Sequence, residues 1–165
     1  MTSATAVDRE AAWLATAGDG LPALKATAGG PFDVIQAYIP RSPALRKKGL
    51  YVTRPGFGDA RFSQQRRMST YTLRLVIQWP ISSGAGSAET EQRALDAAID
   101  LVLQRIVGPL MDKTHGGRFL AVAEAPDHGP IQVIQPPLSL IGLSGSDAAL
   151  TAEIHYAADD PDYTA

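Results

Sequence analysis

The strictest constraint on the fold is a nine-residue segment, 71–79, in which apolar and polar side chains alternate. Its one side carries Tyr71, Leu73, Leu75, Ile77 and Trp79, and its other side carries Thr72, Arg74, Val76 and Gln78. A period of two is that of a β-strand with one buried face. Pro80 closes the segment, because proline cannot donate to a strand ladder. The alternation therefore predicts a long strand packed on a core.

A second strand is predicted just before it, at residues 49–54. The intervening sequence Pro-Gly-Phe-Gly-Asp at 55–59 predicts a turn, since two glycines in five residues can adopt positive φ. Residues 49–79 therefore predict a β-hairpin.

The clearest helix is predicted at residues 87–107. Ser87 is a suitable N-cap, Glu89 and Glu91 favour the positive end of the helix dipole, and Gly108-Pro109 ends the segment. Apolar side chains recur at steps of three and four, at Leu95, Ala98, Ile99, Val102, Leu103 and Ile106. This stripe is wide enough to lie across a sheet.

Weaker patterns complete the prediction. A helix is expected at 8–17 with Asp8 as its cap, a further helical turn at 21–28, and strands at 32–39, 118–125, 131–135 and 150–157. Residues 158–165 read as an acidic tail that is solvated or used in a contact. The fold class predicted for 1–165 is a single α+β domain: a mostly antiparallel sheet with a long hairpin and one principal helix on a face.

Composition excludes several classes of protein. The 165-residue chain has no cysteine, which rules out disulfides, thiol nucleophiles and cysteine-ligated metals. No apolar run approaches the roughly 18 residues of a membrane span, and no membrane contact is expected. Residues 1–7 lack the pattern of a secretory signal.

The residue types of a catalytic or metal site do not converge on any recognisable motif. The histidines His115, His128 and His155 lack the i, i+4 spacing of a zinc helix, and no nucleophile elbow or dinucleotide-binding pattern is present. No catalytic residue, cofactor or metal is therefore predicted. A small enzyme or ligand-binding module with an unrecognised site is the alternative, and its best candidates are Asp112, His115 and Glu124.

Charge is sorted by position. Residues 41–74 hold nine basic residues and one acid, a net +8, whereas residues 75–165 hold four basic residues and twelve acids, a net −8. Two fields of opposite sign suit a chain that stacks on its own copies or presents a basic face to a polyanion. A solvated basic loop is the plainer interpretation, but solvated faces usually mix signs. The aromatic residues there are too sparse for sequence-specific recognition of nucleic acid.

Four stretches resemble those of the tail terminator and neck proteins of long-tailed bacteriophages. They are Leu-Tyr-Val-Thr-Arg at 50–54, Tyr-Thr-Leu-Arg-Leu-Val-Ile-Gln-Trp-Pro at 71–80, the helix that begins Glu-Thr-Glu-Gln-Arg-Ala-Leu-Asp at 89–96, and Ala-Glu-Ile-His-Tyr at 152–156. The resemblance covers residues 49–157 and consists in the order of the elements. The basic approach at 41–48 and the acidic tail depart from the pattern.

The resemblance implies a structural role in the virion. Such proteins form a ring, expected here to be a homohexamer, that caps the tail tube, stops its polymerisation and meets the head connector. The implied partners are other copies of the chain, the tail tube protein, the head–tail connector protein and, without sequence specificity, passing DNA. The implied location is the head–tail junction of a virion assembled in the host cytoplasm. A tail tube subunit or a head–tail adaptor of the same particle is the nearest alternative.

Charge sorting and the resemblance together predict the residues at the subunit boundary. The basic side, facing a neighbour or the ring's bore, is expected to comprise Arg46, Lys47, Lys48, Arg54, Arg61, Arg66 and Arg67. The complementary acidic side is expected to comprise Glu89, Glu91, Asp96, Asp100, Asp159, Asp160 and Asp162.

Overall fold

A computed structural model describes residues 3–18, 20–42, 46–61, 66–81, 87–107, 113–123, 129–136 and 148–163. Within these ranges the helices are α1 (Ser3–Ala15) and α2 (Ser87–Val107), with a short 3-10 turn at Ala26–Ala28. The strands are β1 (Val34–Ala37), β2 (Gly49–Arg61), β3 (Arg66–Pro80), β4 (Ala121–Val122), β5 (Gln132–Ile134) and β6 (Ala149–Tyr163).

The strands form one mixed sheet with the order β1-β2-β3-β6-β4, in which β5 pairs with a different part of β6. The pairing of β1 with β2 is parallel, and all the other pairings are antiparallel. Strand β3 pairs with β6 along its whole length, from Arg66 opposite Tyr163 to Pro80 opposite Ala149. The predicted α+β class, with its largely antiparallel sheet and principal helix, is confirmed.

The core lies on one face of this sheet. The five apolar side chains of the alternating segment are all at most 3% exposed, which confirms that β3 buries one face. On β6 the buried partners are Leu150, Ala152, Ile154 and Tyr156. Helix α2 has the predicted bounds and buries the predicted stripe, apart from the partly buried Leu103. Helix α1 adds Val7, Trp13 and Leu14 to the same apolar cluster.

The predicted turn at 55–59 is wrong. Strand β2 continues through it to Arg61, with Gly56 opposite Thr72 and Arg61 opposite Arg67. Neither Gly56 nor Gly58 has a positive φ. The register of β2 against β3 shifts between Thr53 and Gly56. This irregularity accommodates Pro55, because proline is tolerated at a bulge and on the outer edge of a sheet. The connection from β2 to β3 falls at 62–65, outside the described residues.

The predicted acidic tail is also wrong over the residues that are described. Strand β6 does not end at residue 157 but continues to Tyr163, and Asp159 and Asp160 are only 7% and 4% exposed. The predicted bounds of other elements also differ from those in the structure. Helix α1 begins at Ser3, which places Asp8 inside the helix rather than at its cap, and the strands predicted at 32–39, 118–125 and 131–135 are shorter.

Candidate subunit interface

The basic segment before β2 is exposed where it is described. Arg41, Arg46 and Lys47 all point to solvent. Residues 43–45 between them lie outside the described part of the chain. This segment is therefore a cationic surface that is accessible to a partner.

Lys48 differs from its basic neighbours because its partner lies in the same chain. Its ammonium group is 3.5 Å from the Glu91 carboxylate and 4.2 Å from the centre of the Trp79 ring. The Trp79 indole N–H donates to the same carboxylate at 2.6 Å. Lys48 and Glu91 were expected on opposite sides of a subunit contact. Their pairing instead joins the residue before β2 to the second turn of α2.

Arg54 lies against aromatic rings. Its guanidinium carbon is 4.5 Å from the ring centre of Phe57 and 5.7 Å from that of Tyr71. Its Nη1 atom is buried and has no hydrogen-bond partner among the described residues. Burial raises the pKa of the Tyr71 hydroxyl, and the nearby Asp160 carboxylate raises it further. Arg54 is thus a partly buried cation that lacks an acceptor for one of its nitrogens.

Near the end of the hairpin, the backbone register places one arginine opposite an aspartate of the same chain. In the strand register Arg67 stands opposite Arg61 on β2 and opposite Asp162 on β6. Arg66 stands opposite Tyr163. The side chains of these residues are outside the described part of the structure. The backbone nevertheless places Asp162 beside the basic hairpin within one protomer.

Asp159 and Asp160 are satisfied inside the protomer. The Asp160 carboxylate is 2.7 Å from Nη2 of Arg9, and the Asp159 carboxylate accepts a 2.6 Å hydrogen bond from the Thr70 hydroxyl. Arg9 also donates to the carbonyl of Arg118. Both aspartates, which were expected on an acidic contact surface, are therefore buried and partnered inside the protomer.

The remaining acids lie on the exposed side of α2. Glu89 pairs with Arg93 one turn later at 2.9 Å, and both side chains are largely exposed. Asp96 accepts a 3.2 Å hydrogen bond from the Gln135 amide. Asp100 is exposed and makes no ion pair or hydrogen bond with any described residue. Asp96 and Asp100 thus present two carboxylates one helical turn apart on the exposed side of α2.

His115 belongs to the core rather than to a polar surface loop or an accessible site. Its side chain is 1% exposed, and its Nδ1 lies 2.9 Å from the Glu10 carboxylate. Its Nε2 lies 2.9 Å from the carbonyl of Ile106. Because both nitrogens face acceptors, only the doubly protonated ring can donate to both. Asp112 and Glu124, the other residues of the alternative enzyme site, lie outside the described residues.

Two further groups complete this buried cluster. The Tyr156 hydroxyl donates to the Glu10 carboxylate, and the His115 ring stacks on Trp13 with their centres 3.6 Å apart. Burial and the Glu10 carboxylate raise the pKa of Tyr156 well above its usual value of 10. The sequence held one signal for the cluster: Glu10 stands among apolar residues of α1 that face the core. His155, by contrast, lies partly exposed and 2.9 Å from Glu153, as expected for a surface strand position.

The outer edge of β2 is open beyond its pairing with β1. Strand β1 pairs with Gly49–Val52 only, and the Tyr38 N–H then donates to the carbonyl of Val52. From residue 53 to residue 61, no described strand pairs with this edge. Such an edge offers backbone donors and acceptors to another chain.

No helix within the described residues is long and apolar enough to cross a membrane. No protein-family model matches the sequence, and a search of curated proteins gave no match. The functional interpretation therefore depends on the geometry of the surfaces and on the order of the elements.

Proposed function

We propose that this chain is a structural protein of a long-tailed bacteriophage, a tail terminator. It forms a ring that caps the tail tube, stops its polymerisation and joins it to the head connector. The order of β2, β3, α2 and β6 is the order of elements on which the resemblance to that family depends. Strand β3 has 15 residues and spans about 50 Å at the usual rise per residue, which suits a subunit that reaches across a ring.

The observation that carries this proposal is that one protomer exposes a cationic and an anionic surface whose charges form no ion pair with any described residue. The cationic surface comprises Arg41, Arg46 and Lys47, and the anionic surface comprises Asp96 and Asp100 on α2. Two different patches that complement each other make a head-to-tail contact, and such a contact generates a ring when its rotation closes. Six copies are expected. Charge complementarity of this kind fixes orientation and register more than it adds affinity.

The test is the assembly product, measured by native mass spectrometry and negative-stain electron microscopy with and without tail tubes. A tail terminator gives a single closed ring, in solution or at the tube end. Open stacks would instead identify a tube subunit, and a chain that stays monomeric even with tubes present would contradict both roles.

A pair of variants links the assembly to the charged surfaces. The double variant Arg46→Glu/Lys47→Glu is expected to fold and to lose ring formation, because it repels Asp96 and Asp100 of the neighbour. Lys25→Glu, a reversal outside both surfaces, is the matched control and should assemble normally. If the double variant forms the same rings as the wild type, Arg46 and Lys47 belong to a solvated loop and not to the contact.

A further inference from the structure

The open edge of β2 carries a concentration of exposed apolar side chains. Phe57 on the edge is 57% exposed, and Tyr38 and Ile39, where the chain leaves β1, are 46% and 49% exposed. The described residues with large exposed apolar side chains number seven, and three of them lie along this one edge. Clustered exposed apolar groups beside an unpaired strand are typical of a protein contact rather than of a solvated surface.

Arg54 supplies a directional group in the same place. Its guanidinium packs on Phe57 and Tyr71 with Nη1 shielded inside the protomer, whereas Nε and Nη2 are not buried and make no hydrogen bond with any described residue. These two nitrogens can donate to a partner, and charge-assisted hydrogen bonds from a guanidinium to a carboxylate are among the strongest in proteins. An arginine among aromatic side chains is also the usual composition of the energetic centre of an interface.

We infer that this β2 edge surface (Tyr38, Ile39, Arg54 and Phe57) binds the exposed face of α2 in a second copy of the chain. In this contact Arg54 donates to the carboxylate of Asp100. The inference rests on the proposed ring and adds the β2 edge surface to the cationic segment that faces α2 of the neighbour at each boundary.

The acidic face of α2 fits this role on two counts. Asp100 is the exposed acid of α2 that has no partner among the described residues, and Asp96 stands one turn before it. Val107, 39% exposed, stands seven residues after Asp100 and therefore on the same side of the helix. The face thus offers an apolar group as well as carboxylates. A DNA phosphate site would instead gather several cations, whereas the β2 edge surface has one arginine among three apolar side chains.

The absence of cysteine from the chain allows a direct test by disulfide trapping. Phe57→Cys and Asp100→Cys are made separately, mixed under assembly conditions with tail tubes, and oxidised mildly. A covalent dimer is expected only in the mixture. The matched control replaces Asp100→Cys by Leu120→Cys, which is also exposed but lies beside β4. Equal trapping with Leu120→Cys, or none with Asp100→Cys, would overturn the inference.

A charge swap provides a second, independent readout. Arg54→Asp is expected to raise the concentration needed for assembly at least tenfold, and Arg54→Asp/Asp100→Arg is expected to restore it. Circular dichroism shows whether each variant folds, and Phe57→Ser replaces Arg54→Asp if that variant does not. No rescue by the swap, or weaker binding of a duplex DNA fragment with unchanged assembly, would contradict the α2 contact.

These outcomes separate the inference from the proposed function. Rings that form normally but trap no dimer between positions 57 and 100 would leave the tail terminator role intact and refute this contact. A wild-type chain that forms neither a ring nor a tube cap would refute both.

Discussion

Several buried polar groups among the described residues have partners distant in sequence. Glu10, His115 and Tyr156 join α1, the loop after α2 and β6, and Arg9 joins α1 to Asp160 on β6. A buried ion pair adds little stability over an apolar pair of the same size, but removal of one partner alone is costly. These residues therefore fix how α1 docks on the sheet.

The variant Glu10→Ala should be strongly destabilised. It leaves the His115 ring without its carboxylate and the Tyr156 hydroxyl without its acceptor, and removal of one partner from a buried pair costs about 3–5 kcal/mol. Urea unfolding measures the loss. Asp8→Ala, on the exposed side of the same helix, is the control and should change the free energy of unfolding by less than about 0.5 kcal/mol.

Tyr156 predicts a pH dependence of stability. Its pKa is raised in the folded protein, so its contribution is fully present below pH 10 and is lost as the pH rises through the folded value. Tyr156→Phe should therefore lower the free energy of unfolding by about 1–3 kcal/mol at pH 8, where it removes a buried hydrogen bond. The difference between the two proteins should shrink at pH 11. A constant difference at both pH values would contradict this account.

At the scale of elements, long apolar periodicity allowed a strand and a helix to be predicted from the sequence. A run of polar residues led to a wrong prediction. The central part of β3 and helix α2 were predicted because their apolar patterns run long enough to exclude other structures. Residues 158–163 were mistaken for a tail because aspartates usually stay in solvent. The burial of Asp159 and Asp160 depends on Thr70 and Arg9, which local sequence cannot place beside them. The pairing of Lys48 with Glu91 inside one protomer was missed for the same reason, because local sequence does not show that the two residues meet.

Truncation tests whether the end of β6 is part of the fold. A chain that stops after Ala157 loses the pairing of six β6 residues with β3 and leaves Arg9 without Asp160. It should lose at least about 3 kcal/mol in free energy of unfolding, or fail to fold. A chain that stops after Tyr163 is the control and should match the full-length protein in urea unfolding. Equal stability of the two truncated chains would mean that residues 158–163 behave as a tail after all.

For the whole molecule, the two charged fields of the sequence are partly neutralised within the protomer. Lys48 pairs with Glu91, Arg9 pairs with Asp160, and Asp162 stands opposite Arg67 in the strand register. Among the described residues, unpaired exposed charge of these two groups includes a cationic segment before β2 and an anionic face on α2. In the proposed ring these two surfaces form opposite sides of each subunit contact.

Salt distinguishes the charged part of the proposed boundary from its apolar part. The Debye length falls from about 10 Å at 0.1 M salt to about 3 Å at 1 M, which weakens attraction between exposed charges but leaves apolar burial in place. The concentration at which wild-type rings dissociate should therefore rise at least tenfold between 0.05 M and 0.5 M sodium chloride, as measured by mass photometry. Arg46→Glu/Lys47→Glu should assemble weakly at every salt concentration and lose this dependence. Phe57→Ser should assemble weakly but keep the wild-type dependence on salt, because its defect lies in the apolar contact of the β2 edge surface. Equal salt dependence in the wild type and in the charge-reversed variant would show that unlike charges do not hold neighbouring copies together.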